Sequence, residues 1–317
     1  MSTSLTRRSA ITAGLALGAS LAVSSASSAQ AATGRSACAP VSAGITRLQW
    51  TGIALSSRQY PAMKEFTEKA LGLTAVSTSE EFSVFALPNG NLFELYGPKA
   101  PQYPWRTSTT STAVGFDSSS LPTAEAALSH HGARWVSRIY EFPGAGAGGT
   151  DYRFRFFRAP DDRVYGVAQS NFDPHQPVAA GATGSAGINK LQWTGIDLTA
   201  GQYIRMREFT DRGLGLNALS TVTEFTVFGT ENGNLFELYG PKAPQYPWRT
   251  SHKSIAMGFN TIDLDAAMRH LERHGAKWVS GVYVVPGAGA GGTDYRFRLF
   301  RAPDNRVYGV AQSNATS

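Results

Sequence analysis

The chain repeats itself, and the repeat fixes most of what it can fold into. Residues 44–171 align with 187–314 at a constant offset of 143, without insertion or deletion, and about two thirds of the aligned positions are identical. The stretch NGNLFELYGPKAPQYPWRTS recurs letter for letter from Asn89 and from Asn232. Each copy is long enough to bury a core of its own. Between them, FDPHQPVAAGATGSA (172–186) is rich in Pro, Gly, Ala and Ser, lacks a hydrophobic period and reads as a linker. The expected layout is two tandem domains, 44–171 and 187–314.

The residues ahead of the first copy read as an export leader. Arg7 and Arg8 precede an uncharged, small and apolar run from Ala10 to Val23, and Ala29-Gln30-Ala31 supplies an A-x-A cleavage site. That run is shorter than the roughly 20 apolar residues a membrane helix needs, and no later segment qualifies as transmembrane. The paired arginines predict twin-arginine export and cleavage after Ala31, giving a secreted protein with a short segment, 32–43, before the first copy. Cys38 is the single cysteine, so no intrachain disulfide forms and stability must come from packing. Cleavage removes Arg7 and Arg8 and takes the formal charge from +6 to +4. That mildly basic surface suits association with anionic cell-wall polymers. The lysines and arginines form no run or helical stripe, which argues against a nucleic-acid partner.

Within a copy the periodicity alternates between strand and helix. RLQWTGIAL reads as a strand, and Tyr60, Met63, Phe66 and Ala70 then recur at helical spacing until Gly72. EFSVFALPNGNLFELYG predicts two strands joined at Asn89-Gly90. A second strand and helix follow, the helix clearest as Leu264, Ala267, Met268 and Leu271 before Gly275. WVSRIYEF, TDYRFRFF and RVYGVAQ supply three more strands, so the unit is βαβββ, used twice per copy.

That order, with LQWTGIAL, NGNLFELYG and APDDRVYGVAQ, resembles the vicinal oxygen chelate superfamily, which includes glyoxalase I, extradiol dioxygenases and bleomycin-resistance proteins. The resemblance spans both copies. It implies an α+β fold of tandem domains, each of two βαβββ modules, whose curved mixed sheets wrap a cleft with helices on the convex face. It also implies a divalent metal held by His, Gln or Glu side chains from the first and last strands of the modules. Position by position, the first-strand ligand falls on Trp50 and Trp193, and the glutamate closing the first module falls on Glu94 and Glu237. The histidine of the fifth strand falls on Ala113 and Ala256, and the final glutamate on Gly166 and Gly309. One carboxylate per domain does not make a transition-metal site, so neither a metal nor another cofactor is expected. His131 and His274 precede helix-ending glycines and read as C-terminal caps; His130, His175, His252 and His270 read as surface residues.

Strand alternation assigns the cleft lining. Leu92, Glu94 and Tyr96 share one face, as do Leu48, Trp50, Gly52 and Ala54. If Tyr152, Phe154 and Phe156 pack under helices, Arg153 and Arg155 face the cleft; the second copy repeats this with Trp193, Glu237, Tyr239, Arg296 and Arg298. Such a cleft suits a small aromatic ligand carrying a polar or anionic group. Three functions are open: a metal-free binder of a small organic molecule; an enzyme, either a metal-independent lyase, isomerase or cyclase with Glu94 or Glu237 as general base, or a glyoxalase-like or dioxygenase-like metalloenzyme; and a cell-wall module whose clefts are filled. PGAGAGGT, from Pro143 and Pro286, joins two strands and so reads as a hairpin or cleft lid, not a phosphate loop. Trp105 and Trp248 either anchor the connector between modules or cover the cleft mouth.

Overall fold

The computed structural model describes residues 44–107, 111–146, 149–172, 185–250, 255–289 and 292–315. The expected leader, segment 32–43, most of the expected linker, His175 and His252 lie outside them. The first module holds β1 Ile45–Ala54, α1 Gln59–Lys69, β2 Thr74–Ser79, β3 Phe82–Ala86 and β4 Leu92–Tyr96. The second holds β5 Thr112–Ser118, α2 Leu121–His130, β6 Arg134–Trp135, β7 Tyr140–Phe142, β8 Asp151–Arg158 and β9 Val164–Phe172. The third holds β10 Ile188–Asp197, α3 Ala200–Glu208, β11 Asn217–Val222, β12 Phe225–Gly229 and β13 Leu235–Tyr239. The fourth holds β14 Ile255–Thr261, α4 Leu264–Arg273, β15 Lys277–Val285, β16 Asp294–Arg301 and β17 Val307–Ala315. The βαβββ order is present four times. WVSRIYEF, expected as one strand, is split into β6 and β7, where its counterpart β15 stays continuous through a bulge between Trp278 and Val282.

Local chemistry sets the ends of these elements. Ser120, Thr199 and Asp263 cap α2, α3 and α4 by accepting from the backbone N–H of Thr123, Gln202 and Ala266. The β3–β4 hairpin turns at Gly90, whose φ of +80° favours glycine. His131 and His274 occupy helix C-caps as expected. His270 does not lie on the surface: it is buried, and its Nε2 contacts the Arg212 carbonyl at 2.8 Å.

The sheets do not follow the repeats. One eight-stranded sheet runs β15-β16-β17-β14-β1-β4-β3-β2 and so joins the first module to the fourth. The other, nine-stranded, runs β11-β12-β13-β10-β5-β9-β8-β6 with β7 on β8, and joins the second module to the third. The two domains expected at 44–171 and 187–314 therefore each contribute one half to both sheets. The seams are antiparallel and equivalent: β1 pairs β14 with Trp50 opposite Gly258, and β10 pairs β5 with Trp193 opposite Gly115. Since Trp50 opposite Gly115 would be the same chemistry, edge pairing is degenerate within the sequence. What differs is the chain path, because the connector after β4 and that after β13 each carry the chain from one sheet to the other.

The sheets are united behind their clefts. A single buried cluster contains Met63 and Phe66 of α1, Leu128 of α2, Met206 of α3 and Leu271 of α4, together with residues of both sheets. Phe66 of α1, for example, meets Phe157 of β8 with ring centroids 6.1 Å apart. Two buried ion pairs pin the sheets across this core. Arg163 pairs with Asp161 at 2.7 Å and donates to the Ala54 carbonyl at 2.6 Å. Its counterpart Arg306 pairs with Asp304 at 3.0 Å and donates to the carbonyls of Ser111 and Asp197. No helix among the described residues is long and apolar enough to cross a membrane.

A chain cut to residues 44–171 would leave the seam edges of β1 and β5 without their partners. It is expected to associate as a symmetric dimer in which β1 of each copy pairs β5 of the other, and light scattering coupled to gel filtration measures this. A monodisperse, cooperatively folding monomer would contradict the seam as the governing contact.

Candidate functional site

Trp50 reaches its cleft through a bulge. The β1–β14 register slips between Leu48 and Trp50, where the Asn91 side chain donates to the Leu48 carbonyl. The slip changes the face on which side chains emerge: Leu48, expected in the cleft, belongs to the core behind the sheet, while Gln49 and Trp50 line the cleft. The indole of Trp50 packs against Gly258 and Gly309. A Cβ on Gly309 would sit 2.6 Å from the Trp50 ring, and one on Gly258 would overlap the indole nitrogen. Gly258 and Gly309 are thus small because a tryptophan occupies the space before them.

Glu94 stands beside it. Gly52 of β1 is flanked by Glu94 on β4 and Ala256 on β14, and Gly309 of β17 pairs with Gly258, so this cleft brings together Trp50, Glu94, Ala256 and Gly309, the four positions where the sequence resemblance implies metal ligands. The other cleft assembles Trp193, Glu237, Ala113 and Gly166, again from both repeats. Each donor set comprises one carboxylate, an indole, a methyl group and a hydrogen. It does not fit a divalent transition metal, which needs three or four lone-pair donors. No group of three or more His, Cys, Asp or Glu poised to hold a metal occurs elsewhere among the described residues.

The carboxyl of Glu94 accepts a hydrogen bond from its strand neighbour, Tyr96 Oη to Oε2 at 2.6 Å; Glu237 and Tyr239 repeat the pair at 2.6 Å. Burial drives both carboxyls up to about 7, against the smaller downward effect of the phenol. The arginines expected to face the clefts are elsewhere. Arg155 bonds Glu125 of α2 at 2.7 Å and lies 4.5 Å from the Trp135 ring; Arg153 bonds Gln169 and stacks on Phe172. Arg298 donates to the Ser280 carbonyl and covers Trp278, and Arg296 faces Asp265 of α4 at 3.6 Å. All four lie on the helix side, where Arg155 and Arg296 meet acidic residues of α2 and α4 and Arg153 and Arg298 meet Gln169, the Ser280 carbonyl and aromatic rings. Tyr295, Phe297 and Leu299 of β16, and Tyr152, Phe154 and Phe156 of β8, face the clefts instead.

The two clefts differ in whether they are open. That of Glu94 encloses about 580 Å³, walled by Trp50, Phe82, Tyr96 and Trp105 on one side and by Tyr295 and Phe297 on the other. That of Glu237 holds about 20 Å³, roughly one water. The strands bearing the glutamates are identical, so closure comes from what faces them. Phe156 fills the second cleft, 5.2 Å from Tyr246 and 6.0 Å from Trp193, where the first has Leu299. Phe142 stacks on Phe154 where the first has Val285. Asp197 binds Arg249 of the connector at 2.7 Å, where its counterpart in the first repeat is Ala54. Trp105 and Trp248 are buried against Tyr96 and Tyr239, so they anchor the connectors from inside the fold; Trp105 also forms cleft wall. Of the PGAGAGGT hairpin, Ala288 borders the open cleft.

Phe82, Tyr103, Tyr295, Phe297 and Arg47 are lining residues that sequence reasoning missed. A signal for β16 was present: Phe300 belongs to the core behind the sheet, and Arg298, two positions earlier, shares its face.

No family model matches the sequence, and no curated protein matches it. Solved structures do. A Bacillus subtilis protein provisionally described as a dioxygenase aligns over 86% of this chain and 86% of its own, at 13% identity and a TM-score of 0.57. Glyoxalase I from Zea mays aligns over 84% of this chain and 92% of its own, at 14% identity and a TM-score of 0.56. The fold is the vicinal oxygen chelate fold.

The raised carboxyls give stability a defined pH dependence. Below the usual value of 4.5 the folded and unfolded chains are both protonated at Glu237; between 4.5 and about 7 only the unfolded chain has released the proton, so stability falls as pH rises. Above 7 the cost is complete, on the order of 3 kcal/mol. Glu237→Gln is expected to match the native chain at pH 4.5 and exceed its stability at pH 8 in urea titrations. The packing difference is testable in the same assay. Phe156→Leu, which empties a packed site, is expected to cost about 2 kcal/mol, whereas Leu299→Phe, which enters open space, costs under about 1 kcal/mol.

Proposed function

We propose that the chain is an exported, metal-free protein that binds one small organic molecule in the Glu94 cleft. The observation that carries this is the cavity of about 580 Å³, walled by aromatic rings around a single buried carboxyl, the size and lining of a small-molecule site. Its repeat-related counterpart is filled by protein, so the reading specifies one ligand per chain. Export rests on the leader with its paired arginines and cleavage site, and N-terminal sequencing of secreted material should begin at Ala32.

Catalysis is the second reading, favoured by one observation. A carboxyl at about 7, hydrogen-bonded to a phenol and facing a cavity, is matched to proton transfer near neutral pH. Glu94 would be the base and Tyr96 its positioning partner. The repeat-related Glu237 has the same chemistry without room for a substrate.

Native mass spectrometry of the mature protein, with elemental analysis, is expected to find at most one small organic molecule per chain and zinc, iron, manganese and nickel well below one equivalent. A stoichiometric metal would overturn the metal-free reading. For any molecule so found, Glu94→Gln separates the two functions: lost affinity supports binding through Glu94, while retained affinity with lost turnover supports catalysis.

A further inference from the structure

We infer that the Glu94 cleft is a site for an organic cation, a molecule whose ammonium or other basic nitrogen sits at the Glu94 carboxylate inside the aromatic walls. This deepens the binding reading and rests on it. The observations are those of charge and geometry. Among the described residues, the charged side chains lining the cavity are Glu94 and Arg47 alone. Arg47 lies five positions along β1 from Gly52, the residue paired with Glu94, which is roughly 16 Å at the usual rise of a strand. It is also engaged with the Gln49 side chain at 3.1 Å. The inner part of the cleft therefore holds an acid with no base, since Arg296 and Arg298, the arginines of the strand that walls it, turn to the other face of the sheet.

The surrounding groups suit a cation for the same reason. Tyr96 and Phe82 stand 4.7 Å apart, Trp105 lies edge-on to Tyr96 at 5.0 Å, and Tyr103 and Phe297 meet at 5.7 Å, so several aromatic rings border one cavity. The titratable groups facing Glu94 are the phenols of Tyr96 on its own strand, Tyr103 on the connector and Tyr295 on β16. All are held above their ordinary value by burial, with the Glu94 charge adding to it. They stay protonated at neutral pH and supply no positive charge. Tyr96 satisfies one carboxylate oxygen, and no other hydrogen bond to the Glu94 carboxyl is made among the described residues. A bound cation would ionise Glu94 and release its proton. At the mouth, Val76 and Val285 are 61% and 42% exposed, an apolar rim for the substituent carried by the nitrogen.

The test uses three probes of matched shape on the mature full-length protein: benzyltrimethylammonium, its uncharged isostere neopentylbenzene, and the anion phenylacetate. Binding is read by quenching of tryptophan fluorescence and by calorimetry in two buffers of different ionisation enthalpy. The expected result is one ammonium per chain, bound at least tenfold tighter than either other probe. Its affinity should rise from pH 5.5 to 8.5, with proton release near pH 6.5. Glu94→Gln should lose at least tenfold for the ammonium and leave neopentylbenzene unchanged, and Leu299→Phe should weaken both. Equal or tighter binding of neopentylbenzene or phenylacetate overturns the cation assignment and leaves the small-molecule reading standing. No binding by any probe removes both. The pH series on the unaltered protein decides the matter even if the variants fold poorly.

Discussion

The structure depends on two antiparallel seams, β1 against β14 and β10 against β5. Each joins the first strand of one module to that of another, closing an edge that would otherwise be open to aggregation or exchange. Because each seam crosses between repeats, no cleft belongs to one copy. Glu94 comes from the first repeat and Leu299 and Phe297 from the second; Glu237 comes from the second and Phe156 and Phe154 from the first. The Trp50–Gly258–Gly309 contact sits on the seam itself, so the same packing that holds the sheet together puts an indole at the first-strand position where the sequence resemblance implies a metal ligand.

The site is governed by desolvation. A carboxyl taken from water into an aromatic cavity without an opposing charge holds its proton to near neutrality, and one phenol offsets only part of that cost. Placing Arg155 and Arg298 against the helices satisfies them there and leaves the glutamate alone. A cleft of this kind stores an electrostatic demand that an incoming molecule can meet.

Much of this was legible in the residues. The repeat, the four βαβββ modules and the cleft position of Trp50, Glu94 and Tyr96 all follow from local period and motif. Three features did not. Strict alternation misplaced Leu48, because a bulge shifts the side-chain face and leaves no mark in the hydrophobic pattern. Alternation alone was also ambiguous on DYRFRFF, where Phe156 and Phe157 are both apolar and serve opposite faces. The partner of each β1-type edge could not be read at all, since Gly115 and Gly258 offer the same surface to an indole and the path of the connector decides between them.

The twenty-residue stretch shared by the two halves carries a consequence for how such chains can diversify. Identical letters build the floor of an open chamber in one place and part of a solid core in the other. A motif search on that stretch finds both floors and cannot tell them apart, because the deciding residues lie on a strand lent by the opposite copy. Duplication has thus separated two duties that a single copy would have to combine. One pocket consolidates the fold while its twin is free to change its contents, and the facing strand is where that freedom is exercised.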